Sequence, residues 1–172
     1  MKKTATVYWL LPAKPERDLF CEIVRILRKE FRAPSFQPHL TLFVGRKEHA
    51  SPKEVLQEVR SRPIRLRLRD VAYSPKFTKT LFVRFKSNPA LGKLARNLGR
   101  AAQHSIKAPA DPHVSLLYQK IPQRMKKEIA SVIRLPLRTV LFDSIAAVRM
   151  TLPVRTGRDV AKWKIVARKS LR

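Results

Sequence analysis

The stretch Pro38-His39-Leu40-Thr41-Leu42 decides how this chain is read, because Pro112-His113-Val114-Ser115-Leu116 nearly repeats it 74 residues later. Each copy sets a histidine and, two positions on, a hydroxyl inside an apolar run. Side chains on a β-strand alternate with period two, so each His and its hydroxyl share one face while Leu40 or Val114 takes the other. Two imidazoles and two hydroxyls in pseudo-symmetric pairs suit acid–base chemistry on a phosphate ester.

Outward from these motifs the chain repeats its landmarks. Pro15 and Pro89 are 74 apart, Pro38 and Pro112 are 74 apart, and Pro63 and Pro136 are 73 apart. The first half predicts a strand over 4–11, then a helix opened by Pro15 with Phe20, Ile23, Val24, Leu27 and Phe31 at helical spacing. A strand over 39–44 follows, then a helix started by the capping box Ser51-Pro52-Lys53-Glu54, and a strand in which Ile64, Leu66 and Leu68 alternate with Arg65, Arg67 and Arg69. The second half gives a strand over 80–86, a helix opened by Asn88-Pro89, and the second His strand over 113–118. A helix after Pro122 (Met125, Ile129, Val132, Ile133) and one or two strands in 137–152 complete it. Each half therefore reads β-α-β-α-β. The expected fold is α+β: one domain spanning 1–172, built as two lobes related by an approximate twofold (about 4–73 and 79–152). Two antiparallel sheets would line a central cleft with helices outside, and a last strand would cover 161–169.

Composition bounds the function. Apolar residues make up 44% of the 172, enough for a core, and no run of about 18 apolar residues marks a membrane span. The single Cys21 excludes an intrachain disulfide, fits a reducing cytoplasm, and reads as a buried, inert thiol on a helix. Lys and Arg number 38 against 12 Asp and Glu, a net charge of +26 spread along the whole chain. That balance predicts attraction to a polyanion, RNA first. Arg65, Arg67 and Arg69 form either a phosphate-tracking face or a merely solvated one.

Hydrolysis of a phosphodiester needs one proton removed from the attacking water and another given to the leaving oxygen on the far side of phosphorus. His39 and His113, on either side of a twofold, can fill both roles, and Thr41 and Ser115 can brace the non-bridging oxygens. Two His without a carboxylate or Cys at ligand spacing make a poor zinc site, so neither metal nor cofactor is expected. His49 and His104 lack such partners and read as surface residues. Trp9 and Trp163 read as core rather than base-stacking platforms, and Phe77, Lys79 and Thr80 lie near the second lobe's entrance.

The two motifs resemble the paired His-x-Thr/Ser motifs of the two-histidine phosphoesterases. Tyr8-Trp9-Leu10-Leu11-Pro12, His113-Val114-Ser115-Leu116-Leu117-Tyr118 and Trp163-Lys164-Ile165-Val166 resemble its cyclic phosphodiesterase branch, related to the RNA ligase/cyclic phosphodiesterase proteins. The resemblance implies metal-independent opening of a cyclic phosphate to a phosphomonoester. Its substrate would be a nucleoside 2′,3′-cyclic phosphate, ADP-ribose 1″,2″-cyclic phosphate or a cyclic-ended RNA. It implies His39 and His113 as acid and base, Thr41 and Ser115 on the phosphate, and Tyr118 against the substrate. The rival readings are an RNA-binding protein with the same cleft, and an RNA-end 2′-5′ ligase/phosphodiesterase. A monomer without membrane association is expected.

Overall fold

Along the first strand, Val7, Trp9 and Leu11 alternate with Tyr8 and Leu10, and the two sets enter different apolar clusters. Both faces of that strand are therefore covered, which explains why its sequence is a continuous apolar run rather than a polar/apolar alternation. The computed structural model describes residues 2–45 and 50–172; His49, read above as a surface residue, lies outside the described residues. Chain order is β1 (Lys3–Pro12), α1 (Glu16–Phe31), β2 (Leu40–Gly45), α2 (Pro52–Glu58), β3 (Ile64–Tyr73), β4 (Leu81–Lys86), α3 (Pro89–Ala101), β5 (His113–Leu117), α4 (Gln123–Val132), β6 (Thr139–Leu152), α5 (Gly157–Ala161) and β7 (Lys164–Ser170). The β-α-β-α-β order occurs twice, followed by α5 and β7.

The strands do not form two separate sheets. They run β1-β2-β5-β4-β3-β6-β7, all antiparallel, and β1 also pairs with β6. The ladder thus closes on itself through six strands, with β7 alongside β6. The reason is the length of β6, 14 residues. One of its edges follows β1, while the other pairs with β3 at its start and β7 farther on. The expectation of two sheets lining a cleft gives way to a single closed antiparallel ladder. Its narrowest seam lies between β2 and β5, which share one paired position, Leu40 with Val114.

One side of the ladder carries the main core. Phe20 and Leu27 of α1, Val55 and Leu56 of α2, and Leu91, Leu94 and Leu98 of α3 meet Leu40, Leu42, Val83, Phe85, Val114 and Leu116 there. Burying one such aliphatic side chain is worth about 1.5–3 kcal/mol, so these stripes hold the helices on that side. The caps are as the sequence predicts: Ser51 and Glu54 close a reciprocal capping box on α2, and Asn88 accepts from Leu91 N–H at the start of α3. The other side keeps a smaller cluster of Val7, Trp9, Leu11, Ala146, Val148 and Met150, and beside it the ladder is open.

Three local expectations change. Cys21 is exposed on α1, because it sits one position after the inward-facing Phe20 and rotates out of the buried stripe. On α4, Ile129 and Ile133 reach the core while Met125 and Val132 face solvent, Val132 at 72% exposure. The strand expected over 161–169 starts later, because Ala161 ends α5, a helix that the capping box of Thr156 and Asp159 opens. The last strand accordingly begins at Lys164. No helix among the described residues is long and apolar enough to cross a membrane.

Candidate active site

The Leu40–Val114 pair fixes the relation between the two motifs. In an antiparallel ladder, one step from that pair sets His39 beside Ser115, and the opposite step sets Thr41 beside His113. Leu40 and Val114 point into the main core, so all four polar side chains take the other face. The result is a square with histidines on one diagonal and hydroxyls on the other. Such diagonal positions lie about 7–8 Å apart, a gap that admits one phosphoryl group. His39, Thr41, His113, Ser115 and Tyr118 all line one cavity of ≈ 970 Å³.

The two imidazoles are tethered alike. His39 Nδ1 lies 2.7 Å from the Gln37 carbonyl, and His113 Nδ1 lies 2.8 Å from the Asp111 carbonyl, each two residues back. A carbonyl can only accept, so each Nδ1 carries the proton and each neutral ring leaves its Nε2 lone pair for chemistry. The second-neighbour carbonyl also fixes ring orientation without engaging a carboxylate.

Their surroundings differ. The indole of Trp9 stacks on His39 with centroids 3.6 Å apart and planes at 10°, and Trp163 meets both rings edge-on at 5.4 and 6.0 Å. Trp9 fits this position because small Ala146 faces it on β6. His39 is only 7% exposed, and burial pulls its pKa down to about 4 against the opposing Gln37 hydrogen bond. His113 stands in a more polar setting, with Phe82 in a T-shaped contact at 5.3 Å. Burial also lowers its pKa, with Lys79 and Lys76 pushing the same way and the Asp111 carbonyl and carboxylate opposing. Lys79 itself is held by Asp111 at 2.6 Å and lies 4.5 Å from the Phe82 ring centroid.

Ser115 Oγ donates to the Thr78 carbonyl at 2.9 Å, and the buried Tyr118 hydroxyl bonds to Ser115; burial pushes the Tyr118 phenol up. Tyr118 is stacked on Phe36 at 3.9 Å and is edge-on to Trp163 at 5.7 Å. Tyr118 is thus both buried and on the cavity wall.

Trp9 is buried in the smaller core cluster and Trp163 packs against it, as expected, and both also line the cavity. Each has a buried indole Nε1–H without an acceptor among the described residues. A buried donor left unpaired costs about 1–3 kcal/mol. Lys79 also lines the cavity. Thr80 turns away, its hydroxyl near the carbonyls of Lys76, Phe77 and Gln119. His104 is half-buried, with its ring 5.4 Å from Phe43. Sequence reasoning missed Lys76 and Thr78, which line the cavity from the turn before β4. Their signal is weak, since neither belongs to a period-two or helical pattern. Among the described residues, no group of three or more His, Cys, Asp or Glu side chains could hold a metal ion.

Comparison with known proteins agrees with this geometry. A cyclic phosphodiesterase of Arabidopsis thaliana is 25% identical over 130 residues, covering 74% of this chain and 72% of the relative. The crystal structure of E. coli LigT complexed with 3′-AMP superposes with a TM-score of 0.58 at 17% identity, covering 98% of both chains. A crystal structure of a Thermus thermophilus protein superposes with a TM-score of 0.55 at 22% identity, again over 98% of both. These structures share the α+β fold. The family model described as the 2′-5′ RNA ligase superfamily matches residues 17–151. With that match over most of its length, and with one His-x-hydroxyl motif on each side of the β2–β5 seam, this chain belongs to the 2′-5′ RNA ligase superfamily, the two-histidine phosphoesterases.

Proposed function

We propose that this protein opens a cyclic phosphodiester to a phosphomonoester without a metal. The observation that carries the reading is the crossed square of His39, Ser115, Thr41 and His113 around one cavity, with both Nε2 atoms left for chemistry. The Arabidopsis relative named as a cyclic phosphodiesterase supports the reaction class. The LigT complex with 3′-AMP supports a nucleotide as ligand.

In this mechanism one Nε2 takes a proton from water as its oxygen bonds to phosphorus. The opposite imidazolium gives its Nε2 proton to the departing ring oxygen, and the P–O bond of the ring breaks. His39 is the base, because its aromatic enclosure keeps it neutral down to about pH 4. His113, in the more polar setting, is the acid; an anionic phosphate between the rings favours its protonated form. Thr41 and Ser115 hold the non-bridging oxygens, Ser115 by turning its hydroxyl from the Thr78 carbonyl. Lys76 and Lys79, at the cavity edge, add positive potential. Trp9, Trp163 and Tyr118 form an aromatic wall against ribose or base.

Family membership also favours a second reading, in which a 5′-hydroxyl of RNA replaces water and the product is a 2′–5′ linkage. The test is a panel of four nucleoside 2′,3′-cyclic phosphates, ADP-ribose 1″,2″-cyclic phosphate, and a cyclic-ended RNA with and without a 5′-hydroxyl acceptor. Phosphomonoester release that disappears in His39→Ala and His113→Ala supports hydrolysis. Joined product as the sole outcome supports ligation, and turnover retained in either variant refutes the paired-His mechanism.

A further inference from the structure

The face that carries His113 does not stop at the cavity. His113 on β5 pairs with Arg84 on β4, Arg84 pairs with Asp70 on β3, and Lys86 pairs with Arg67. Paired residues in an antiparallel ladder point to the same face, and Arg65 joins them two residues before Arg67. Arg69 follows by the same alternation, and the bulge between Leu68 and Asp70 puts Asp70 opposite Arg84. Leu66 and Phe85, from the alternate positions, enter the main core, which confirms the facing of the charged set. Arg65, Arg67, Arg69 and Lys86 are exposed.

This face is under-neutralised. Asp70 is taken up by Arg84 through two hydrogen bonds of 2.6 Å each, with Arg69 at 4.0 Å on its other side. Arg65, Arg67 and Lys86 have no ion-pair partner among the described residues; Arg65 has only a 3.4 Å contact to the Thr139 hydroxyl. Arg67 and Lys86 are like charges directly opposed across the ladder, an arrangement that destabilises a bare sheet. Neighbouring strands lie about 4.8 Å apart, so the Arg84–Asp70 pair spans the two spacings, about 10 Å, from His113 to β3, and Lys86, two residues from Arg84, opens a stripe that crosses to Arg67 and continues along β3.

We infer that the stripe formed by Arg65, Arg67, Arg69 and Lys86 is the track for the RNA chain leading to a terminal cyclic phosphate held between His39 and His113. The inference rests on the phosphodiesterase reading of that cavity. A 2′,3′-cyclic phosphate requires a ribose 2′-oxygen, so the polymer bearing one is RNA. The chain beyond it carries one negative charge per nucleotide, which complements a line of cations on the face that carries His113, three of them without an ion-pair partner among the described residues.

The test compares wild type with the triple variant Arg65→Gln, Arg67→Gln, Lys86→Gln on two substrates, a cyclic mononucleotide and a pentaribonucleotide ending in a 2′,3′-cyclic phosphate. A control variant, Lys93→Gln, Arg96→Gln, Arg100→Gln, removes equal charge from the exposed side of α3, which covers the opposite face of the ladder. The stripe variant is expected to raise KM for the pentamer about tenfold or more at low salt while leaving the mononucleotide unchanged. It should also lower the slope of log K against log salt by about 2, at about 0.7 per phosphate contact on a single strand. The control should move neither quantity. An unchanged pentamer KM, an equal loss on both substrates, or an equal loss in the control overturns the track. Anisotropy with a 3′-phosphate-ended pentamer reads binding independently of turnover. If wild type hydrolyses neither substrate, the chemical reading fails. Binding of that pentamer lost only in the stripe variant would still support the track, and binding equal in all three proteins would overturn it.

Discussion

The Trp9 indole lies 3.6 Å from the His39 imidazole and nearly parallel to it, whereas His113 meets Phe82 in a T-shaped contact at 5.3 Å. Two motifs related by a backbone twofold are thereby placed in unlike surroundings. Environment separates paired titratable groups into acid and base, and in the mechanism proposed above the aromatic side takes the neutral role.

That separation predicts that the two histidines respond differently to the leaving group. His39→Ala and His113→Ala should each lower turnover on the cyclic substrate about 10²–10⁴-fold, the usual contribution of a positioned acid or base. A substrate with a nitrophenolate leaving group needs no proton on departure. With it, His113→Ala should regain most of its activity and His39→Ala should not. Steady-state kinetics on both substrates decide this, and the reverse pattern exchanges the two roles.

Stability should depend on pH through His39. Unfolded, the ring takes a proton below its ordinary value of 6.5; folded, it does so only near 4. Between those values the unfolded state holds more protons, so stability is full above about pH 6.5 and is lost as pH falls toward 4. Urea unfolding at pH 7, 6, 5 and 4 should show this decline, and His39→Asn should flatten much of it. Asn can still donate to the Gln37 carbonyl, so the comparison isolates titration. An unaltered slope in the variant argues against buried His39 as the cause.

The stack on His39 predicts an indirect role for Trp9. Trp9→Leu keeps the position apolar but opens one face of the imidazole to water. The acid limb of kcat/KM should then move from near pH 4 toward the ordinary histidine value of 6.5, accompanied by a lower kcat. A pH–rate profile that keeps its acid limb while kcat falls would assign Trp9 to substrate contact alone.

The two hydroxyls should separate in stability. Thr41→Val keeps the shape of the side chain, so it should lower kcat by about 10²–10³, the scale of one lost donor to a developing oxyanion, with little change in Tm. Ser115→Ala also removes the partner of the Thr78 carbonyl and the Tyr118 hydroxyl. It should therefore cost about 1–3 kcal/mol of stability in addition to activity. Denaturant midpoints and kinetics on both variants check this.

At the seam itself, Leu40 is fully buried at the one position where β2 and β5 pair. Leu40→Ala should destabilise by about 2–5 kcal/mol, and because it loosens the strand holding both His39 and Thr41, kcat should fall with it. A variant with wild-type kcat at a temperature where it remains folded would show that the square does not depend on that seam.

The sequence by itself determined the order of elements from β1 to α4, the caps on α2 and α3, and the sharing of one face by each His and its hydroxyl. These follow from local rules: period-two alternation, helical stripes, and side chains that bond the first turn. The exposure of Cys21 and Val132 was a question of helix phase, which spacing alone fixes only to within a residue or so. Tertiary structure decided what depends on partners distant in the chain. Long β6 reaches β1, β3 and β7 and closes the ladder, and the Leu40–Val114 register crosses the two motifs. Trp9 and Trp163 then become walls of a cavity, because the face they share with His39 turns away from the main core. Strand pairing and the covering of a face are properties of the assembled chain, so a repeat in sequence specifies two similar sites and only the fold makes them into one.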